Sequence, residues 1–293
     1  RHNQNIFWGG IKKLMRLMWQ RNTISSSKKN ILAHYDLGNS FYQLWLDETM
    51  TYSSALFQYP QQSLAAAQHN KYNRIISELG RKSGKILEIG CGWGGFSRQA
   101  TASGDFQSLG VTISDEQYNF CQQQQLVQVK FVNRDYRLLD GKYDHIVSIE
   151  MFEAVGKEYW QTYFNKVKAL LTKKGRAVIQ TISIREDLFD NYNNGTDFIR
   201  RHIFPGGFLP TIKHFKHHAE AAGLKLVNQF SFGQDYATTL LEWLQNFERC
   251  QHEVRRLGFG EDFIRLWRCY LAGCAAVFAA NRTNVTQLTL AHK

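Results

Sequence analysis

No run of about 18 apolar residues occurs in this 293-residue chain, so no segment is predicted to span a bilayer. No charged n-region, apolar h-region and cleavage site can be read near its start, which opens on Arg1 and is read as missing or processed. The five cysteines, at 91, 121, 250, 269 and 274, are odd in number and lack metal-ligand spacing. That argues against a zinc site or a disulfide scaffold and predicts a reduced, cytoplasmic compartment. No internal repeat appears. What is abundant is positive charge: 36 Lys and Arg against 25 Asp and Glu give a net +11. An anionic partner is expected, whether phospholipid headgroup, nucleic acid or acidic carrier protein. Hydrophobic residues make up 43%, enough for a full core, which argues against global disorder.

The stretch KILEIGCGWGGFSRQA, residues 85–100, organises the rest. Ile86, Leu87 and Ile89 read as a short strand, and Gly90, Gly92 and Gly94 as a G-x-G-x-G turn opening a helix. Glycines let a backbone turn tightly and approach a nucleotide-type ligand without a Cβ in the way. The bland alternative is a βα turn with no ligand. The third glycine of the dinucleotide fingerprint is missing. A nicotinamide site also expects an acid about 20 residues on, and Thr112 stands near there. Glu88, just before the turn, can meet a cation. Together these point to S-adenosylmethionine, whose amino-acid end carries an ammonium beside the sulfonium.

Residues 6–19 read as an amphipathic basic helix with Lys12, Lys13 and Arg16 off its apolar stripe. It either packs on its own domain or lies on a membrane surface. Residues 22–30 read as a link, 31–57 as an aromatic-rich stretch and 61–80 as a helix. Strands at 85–89, 108–113, 129–132, 144–149 and 176–182 then alternate with helices at 94–103, 114–124 and 157–171. Such alternation predicts an α/β fold with a parallel sheet flanked by helices. Ligand residues belong at the C-terminal ends of its strands, where Thr112, Asp135, Glu150, Glu153 and Gln180 fall. Residues 183–210 lack periodicity and hold two of the three prolines, which reads as a lid-like insertion after the fifth strand. A helix at 211–222, a strand at 224–230, a helix at 236–257, an apolar helix through Phe263 and Phe278, and a strand at 284–290 that closes the sheet complete the chain. The expected division is an N-terminal helical cap over 1–84 and a core over 85–293.

These residues resemble the cyclopropane fatty acid synthase family of S-adenosylmethionine-dependent methyltransferases. The likeness runs from residue 31 nearly to the C-terminus. It rests on HYDLGNSFYQLWLD with TYS, LEIGCGWGG, GVTIS with Gln117, SIEMFEAVG, IFPGG-x-LP, and Trp267, Tyr270, Cys274 and Phe278. It implies a Rossmann-like class I methyltransferase with a seven-stranded, mostly parallel sheet. It implies that Tyr52 and Ser53 border the cofactor. Glu88, Gly90, Cys91, Gly92 and Gly94 would hold its methionine end, Thr112, Ile113 and Gln117 its ribose, and Asp135, Tyr136 and Arg137 its adenine.

In the cyclopropane synthases of the family a methyl group passes to a cis double bond of an acyl chain. A bound bicarbonate then removes a proton. The resemblance implies a bicarbonate cage of Glu153, Tyr236, backbone groups at Ile182 and Ser54, and Gln180. Two positions depart: Ser54 replaces a cysteine, and Gln180 replaces a histidine. An amide is neutral at every pH but can donate one hydrogen bond to an oxyanion. Cys274 is a position proposed as a nucleophile, yet it lies on an apolar helical stripe with no base near in sequence, the setting of an inert thiol. The expected activity is C-methylation of cis-unsaturated acyl chains of phospholipids by a peripheral protein at the inner, anionic membrane surface. Nucleic acid is not expected, because no NPPY-type motif occurs. Self-association stays open. The rival readings are N-methylation of a small amine and a non-catalytic paralogue that binds cofactor and membrane.

Overall fold

The computed structural model describes residues 37–293. The helix expected over 6–19, with its three basic residues, and the link at 22–30 lie outside the described residues.

Seven strands form one sheet: β1 (Ser83–Ile89), β2 (Asp105–Thr112), β3 (Val129–Asn133), β4 (Tyr143–Ile149), β5 (Leu171–Ile184), β6 (Leu224–Ser231) and β7 (Thr283–His292). Their order is β3-β2-β1-β4-β5-β7-β6. The first five run parallel, and β7 is antiparallel to both its neighbours. A parallel strand is covered on both faces, which is why Ile86, Leu87 and Ile89, which point to both faces of β1, are all buried. The last strand was expected to close the sheet. It lies inside it instead, between β5 and β6. Val285, Leu288 and Leu290 of β7 are buried, whereas β6 is largely exposed and takes the edge.

Helices cover both faces: α1 (Asn39–Gln43), α2 (Leu64–Glu78), α3 (Gly95–Ser103), α4 (Asp115–Gln123), α5 (Trp160–Leu170), α6 (Phe189–Asn194), α7 (Phe198–His202), α8 (Ile212–Ala221), α9 (Gly233–Arg249), α10 (Gln251–Arg256) and α11 (Glu261–Ala279). The start of α2 falls three residues later than the sequence suggested, because the Ser63 side chain caps it by accepting from the Ala66 N–H. The helix expected over 236–257 starts earlier, at Gly233, and breaks at Cys250 into α9 and α10. Residues 183–210 are not structureless. β5 runs on to Ile184, which pairs with Thr283, and two helices follow. With six and five residues, α6 and α7 are too short for a helical period to register.

The segment before α2 is tied to the core by side chains. Trp93 Nε1, on the glycine turn, donates to Asn39 Oδ1 at 2.7 Å, and Asn39 Nδ2 donates to the Glu116 carbonyl at 3.1 Å. Phe41 and Trp45 enter a cluster with Trp243 of α9 and Trp267 of α11, with Trp45 at 5.8 and 5.9 Å from the two indoles. Truncating one such buried ring costs about 3–5 kcal/mol, so this cluster fixes the segment before α2 to α9 and α11.

Candidate active site

The chain runs β1 to β3 in one direction and then returns to place β4 beside β1, so the strand order reverses between them. Ligands in open α/β sheets bind at such a reversal, outside the carboxyl ends of the strands. A cavity of about 800 Å³ opens there. Most of the residues singled out from sequence line it: Tyr52, Ser53, Glu88, Gly90, Cys91, Gly92, Thr112, Ile113, Gln117, Asp135, Tyr136, Arg137, Glu153, Ile182, Tyr236 and Cys274.

One end of the cavity is a backbone cradle. Gly90, Gly92 and Gly94 take φ of 80°, 53° and 82°. A Cβ on Gly92 would meet nothing within 4 Å and would project into open space. Gly94 does not line the cavity. A Cβ there would strike Phe131 at 2.7 Å, so this glycine serves close packing behind the turn. Glu88 is buried and accepts from the Ser97 hydroxyl at 2.5 Å. Burial pushes its pKa up to about 8, against the pull of Ser97 and Lys71. A ligand cation beside it would favour the ionised form. An open glycine backbone next to a carboxylate in search of a cation therefore fits the amino-acid end of S-adenosylmethionine. Further along, Thr112 Oγ1 donates to Gln117 Oε1 at 2.8 Å. Arg137 donates to Asp135 through N and Nε at 2.9 Å and through Nη2 at 2.6 Å, so this pair is rigid before any adenine arrives.

The other end is aromatic and carries two buried carboxyls. The Tyr52 and Tyr270 hydroxyls are 2.7 Å apart, and the Tyr236 and Phe278 ring centroids are 4.6 Å apart. Glu153 Oε1 accepts from Thr181 Oγ1 at 2.8 Å and from the Ile182 N–H. Its Oε2 is buried with no hydrogen-bond partner among the described residues. Burial first, and then the charge of Glu150, push the Glu153 pKa up to about 8. Cys274 lines this end, but burial pushes its thiol up to about 12, so at neutral pH it is no thiolate nucleophile.

Gln180 and Ser54 do not line the cavity, contrary to expectation. Gln180 Nε2 donates to Glu150 Oε1 at 2.8 Å, and the Ser54 N–H donates to the same oxygen at 2.9 Å. Gln287 Nε2 donates to Gln180 Oε1 at 3.0 Å, which fixes the amide with its nitrogen toward Glu150. The Ser54 N–H and one Gln180 amide hydrogen are thus spent on a side chain of the protein.

Two functional residues were not singled out. Glu150 stood among the strand-end residues but received no role. It lines the cavity one residue after β4, and its backbone has φ of 49°. Lys71 is fully buried on α2 and donates to Ser53 Oγ and Gln68 Oε1, each at 2.6 Å. Burial lowers its pKa to about 7, while Glu150, Asp47 and Glu88 oppose that shift. Its signal was available: Leu64, Ala67, Lys71, Tyr72 and Ile75 share one face of α2, and all are buried. A lysine inside an apolar stripe needs anionic company.

The profile of the mycolic acid cyclopropane synthetase family matches residues 22–288. The tuberculostearic acid methyltransferase UfaA1 of Mycobacterium tuberculosis is 36% identical over 96% of this chain and 69% of its own length. The cyclopropane-fatty-acyl-phospholipid synthase of Escherichia coli K12 is 35% identical over 87% of this chain and 65% of its own. The chain thus spans about two thirds of these relatives. The crystal structure of the mycolic acid cyclopropane synthase CmaA1, complexed with SAH and CTAB, superposes with a TM-score of 0.85 at 30% identity. It covers 91% of this chain and 98% of that one.

Proposed function

This chain belongs to the mycolic acid cyclopropane synthetase family, and from that premise we propose that it moves a methyl group from S-adenosylmethionine to a carbon of a cis-unsaturated phospholipid acyl chain. One observation carries the reading: a single cavity joins the glycine cradle to an aromatic chamber with two buried carboxyls.

When bound, S-adenosylmethionine supplies an electrophilic methyl group on a sulfonium. Gly90 and Gly92 would offer backbone to its methionine end, and Glu88 would face its ammonium. Thr112, Ile113 and Gln117 would border the ribose, and Asp135, Tyr136 and Arg137 the adenine. Methyl addition to a double bond leaves a cation on the acyl chain. Tyr52, Tyr236 and Tyr270 offer it π faces, and the apolar walls keep out water that would capture it. The cation must then lose a proton to a nearby acceptor. The bicarbonate implied by the resemblance would have to act without Gln180 and the Ser54 N–H. The net charge of +11 supports docking on an anionic membrane surface, from which an acyl chain would enter. We place the protein at the inner face of the membrane on the same ground.

The test is incubation with methyl-labelled cofactor and vesicles of mixed unsaturated phospholipids, followed by mass spectrometry of the lipids. Label is expected in an acyl chain. Label in a headgroup amine or a small amine would overturn the reading in favour of N-methylation.

A further inference from the structure

We propose that Glu150 is the proton acceptor of the reaction, a carboxylate of the chain itself in the place of a bound bicarbonate. The inference rests on the acyl-chain reading above.

Three observations converge on this residue. First, it lines the aromatic end of the cavity, and its carboxylate gathers the donors expected to hold a small anion. The Ser54 N–H and Gln180 Nε2 lie at 2.9 and 2.8 Å, and the Tyr236 hydroxyl also faces it. Three donors leave a carboxylate lone pairs to spare for a substrate proton. Second, its backbone sits in the left-handed region at φ 49°. A glutamate there costs about 1–2 kcal/mol. The conformation is held because Ser54 and Gln180 fix the side chain, and such outliers cluster where function needs them. Third, the two carboxyls of this chamber divide one charge. Glu153 accepts from Thr181 and Ile182 on Oε1, its Oε2 is unpartnered among the described residues, and burial and then the Glu150 charge push it toward the protonated form. Burial raises the Glu150 pKa too, but the Lys71 charge, which has no counterpart around Glu153 among the described residues, pulls it back, followed by Ser54, Gln180 and Tyr236. Donors and an opposite charge favour the ionised form, so the negative charge rests on Glu150 and Glu153 holds the proton.

The step balances without another reactant. The π pair of the acyl double bond takes the methyl carbon, the C–S bond pair stays on sulfur, and the donor leaves as a neutral thioether. The neighbouring chain carbon is left cationic. A Glu150 oxygen takes a proton either from the added methyl group, whose C–H pair closes a three-membered ring onto the cationic carbon, or from a chain carbon next to the cation, whose C–H pair becomes a π bond. Glu150 becomes a neutral acid and later yields its proton to solvent.

The test uses oleoyl phosphatidylglycerol vesicles in buffer stripped of carbon dioxide. Wild-type turnover is expected to be unchanged when bicarbonate is added. Glu150→Gln, of equal size, should lose at least about 100-fold, as removal of a general base does. Glu150→Gly suits the positive φ and opens room for an anion, so added bicarbonate should restore part of its rate. A readout independent of turnover is the NMR line width of 13C-bicarbonate with protein. Broadening is expected with Glu150→Gly and not with wild type. Stimulation of wild-type turnover by bicarbonate, broadening with wild type, or full activity in Glu150→Gln would overturn the proposal. If wild type labels no lipid, the acyl-chain reading fails, and the NMR experiment still decides whether Glu150 or bicarbonate holds this position.

Discussion

The two ends of the cavity are built by different means. The cradle end is local. Eight consecutive residues, from Ile86 through Trp93, supply a strand, a carboxylate and a glycine turn, and backbone geometry does most of the work. The chamber end is assembled from five places far apart in sequence: Ser54, Lys71, Glu150 with Glu153, Gln180 with Ile182, and Tyr236. The first end places one buried carboxylate, Glu88, beside the glycine turn. The second crowds two carboxyls and a lysine into an apolar core, where each charge depends on the others. Binding can therefore be specified by a short motif, whereas the proton chemistry depends on the whole fold.

Lys71 spans both ends, so its removal should damage both. Lys71→Met leaves the Ser53 hydroxyl and Gln68 amide without their donor and withdraws the cation felt by Glu88 and Glu150. We expect a loss of about 2–3 kcal/mol in denaturant melts, with weaker cofactor binding and slower turnover together. A variant with unchanged stability would show that the two ends do not share this lysine.

Gly92→Val should strike the cradle alone. The valine must hold φ of 53° and would aim its side chain into the cavity. Calorimetry with S-adenosylhomocysteine should show an affinity loss of roughly 100-fold, about 2.7 kcal/mol. An unchanged affinity would remove the glycine turn from the cofactor site.

The most gradual effect expected is a pH slope. Glu88 and Glu153 both have folded pKa values raised to about 8 from an ordinary 4.5, so the fold favours their protonated forms. The stability they contribute is fully present below pH 4.5 and is lost as the pH rises toward 8. Lys71, lowered to about 7, is charged in both states through the lower part of that window and leaves the slope to the carboxyls. The ligand-free protein should lose stability between pH 5 and 7, by at most about 1.4 kcal/mol per pH unit for each group. Glu88→Gln should flatten the slope, and so should bound S-adenosylmethionine, whose ammonium gives Glu88 a partner. A slope unaffected by Glu88→Gln would remove that residue from the account.

What could be read from sequence follows the same division. The strand–turn–helix of the cradle was legible because its residues are contiguous and its glycines have a local reason. Gly94 was misplaced because packing on Phe131 and a ligand contact look alike in a motif. The parallel core was legible from alternating strands and helices. The place of β7 was not, since a strand's neighbours depend on which edge stays exposed. Gln180 looked like a ligand donor because nothing along the chain says that Glu150 turns back to meet it. That contact depends on a positive φ at a non-glycine residue and on pairing between β4 and β5 that brings Ile149 opposite Gln180.

The account's central claim is that the two ends have separable tasks, and Glu150→Gln tests it most directly. Its affinity for S-adenosylhomocysteine, measured by calorimetry, should be read beside its rate of methyl transfer to unsaturated lipid. The amide can still accept from the Ser54 N–H and Gln180 Nε2 but cannot take a proton from the substrate. We predict an affinity within about twofold of wild type, a difference under ~0.5 kcal/mol, and a rate lower by about 100-fold. A rate that stays at the wild-type level, or an affinity that falls in step with the rate, would contradict the division.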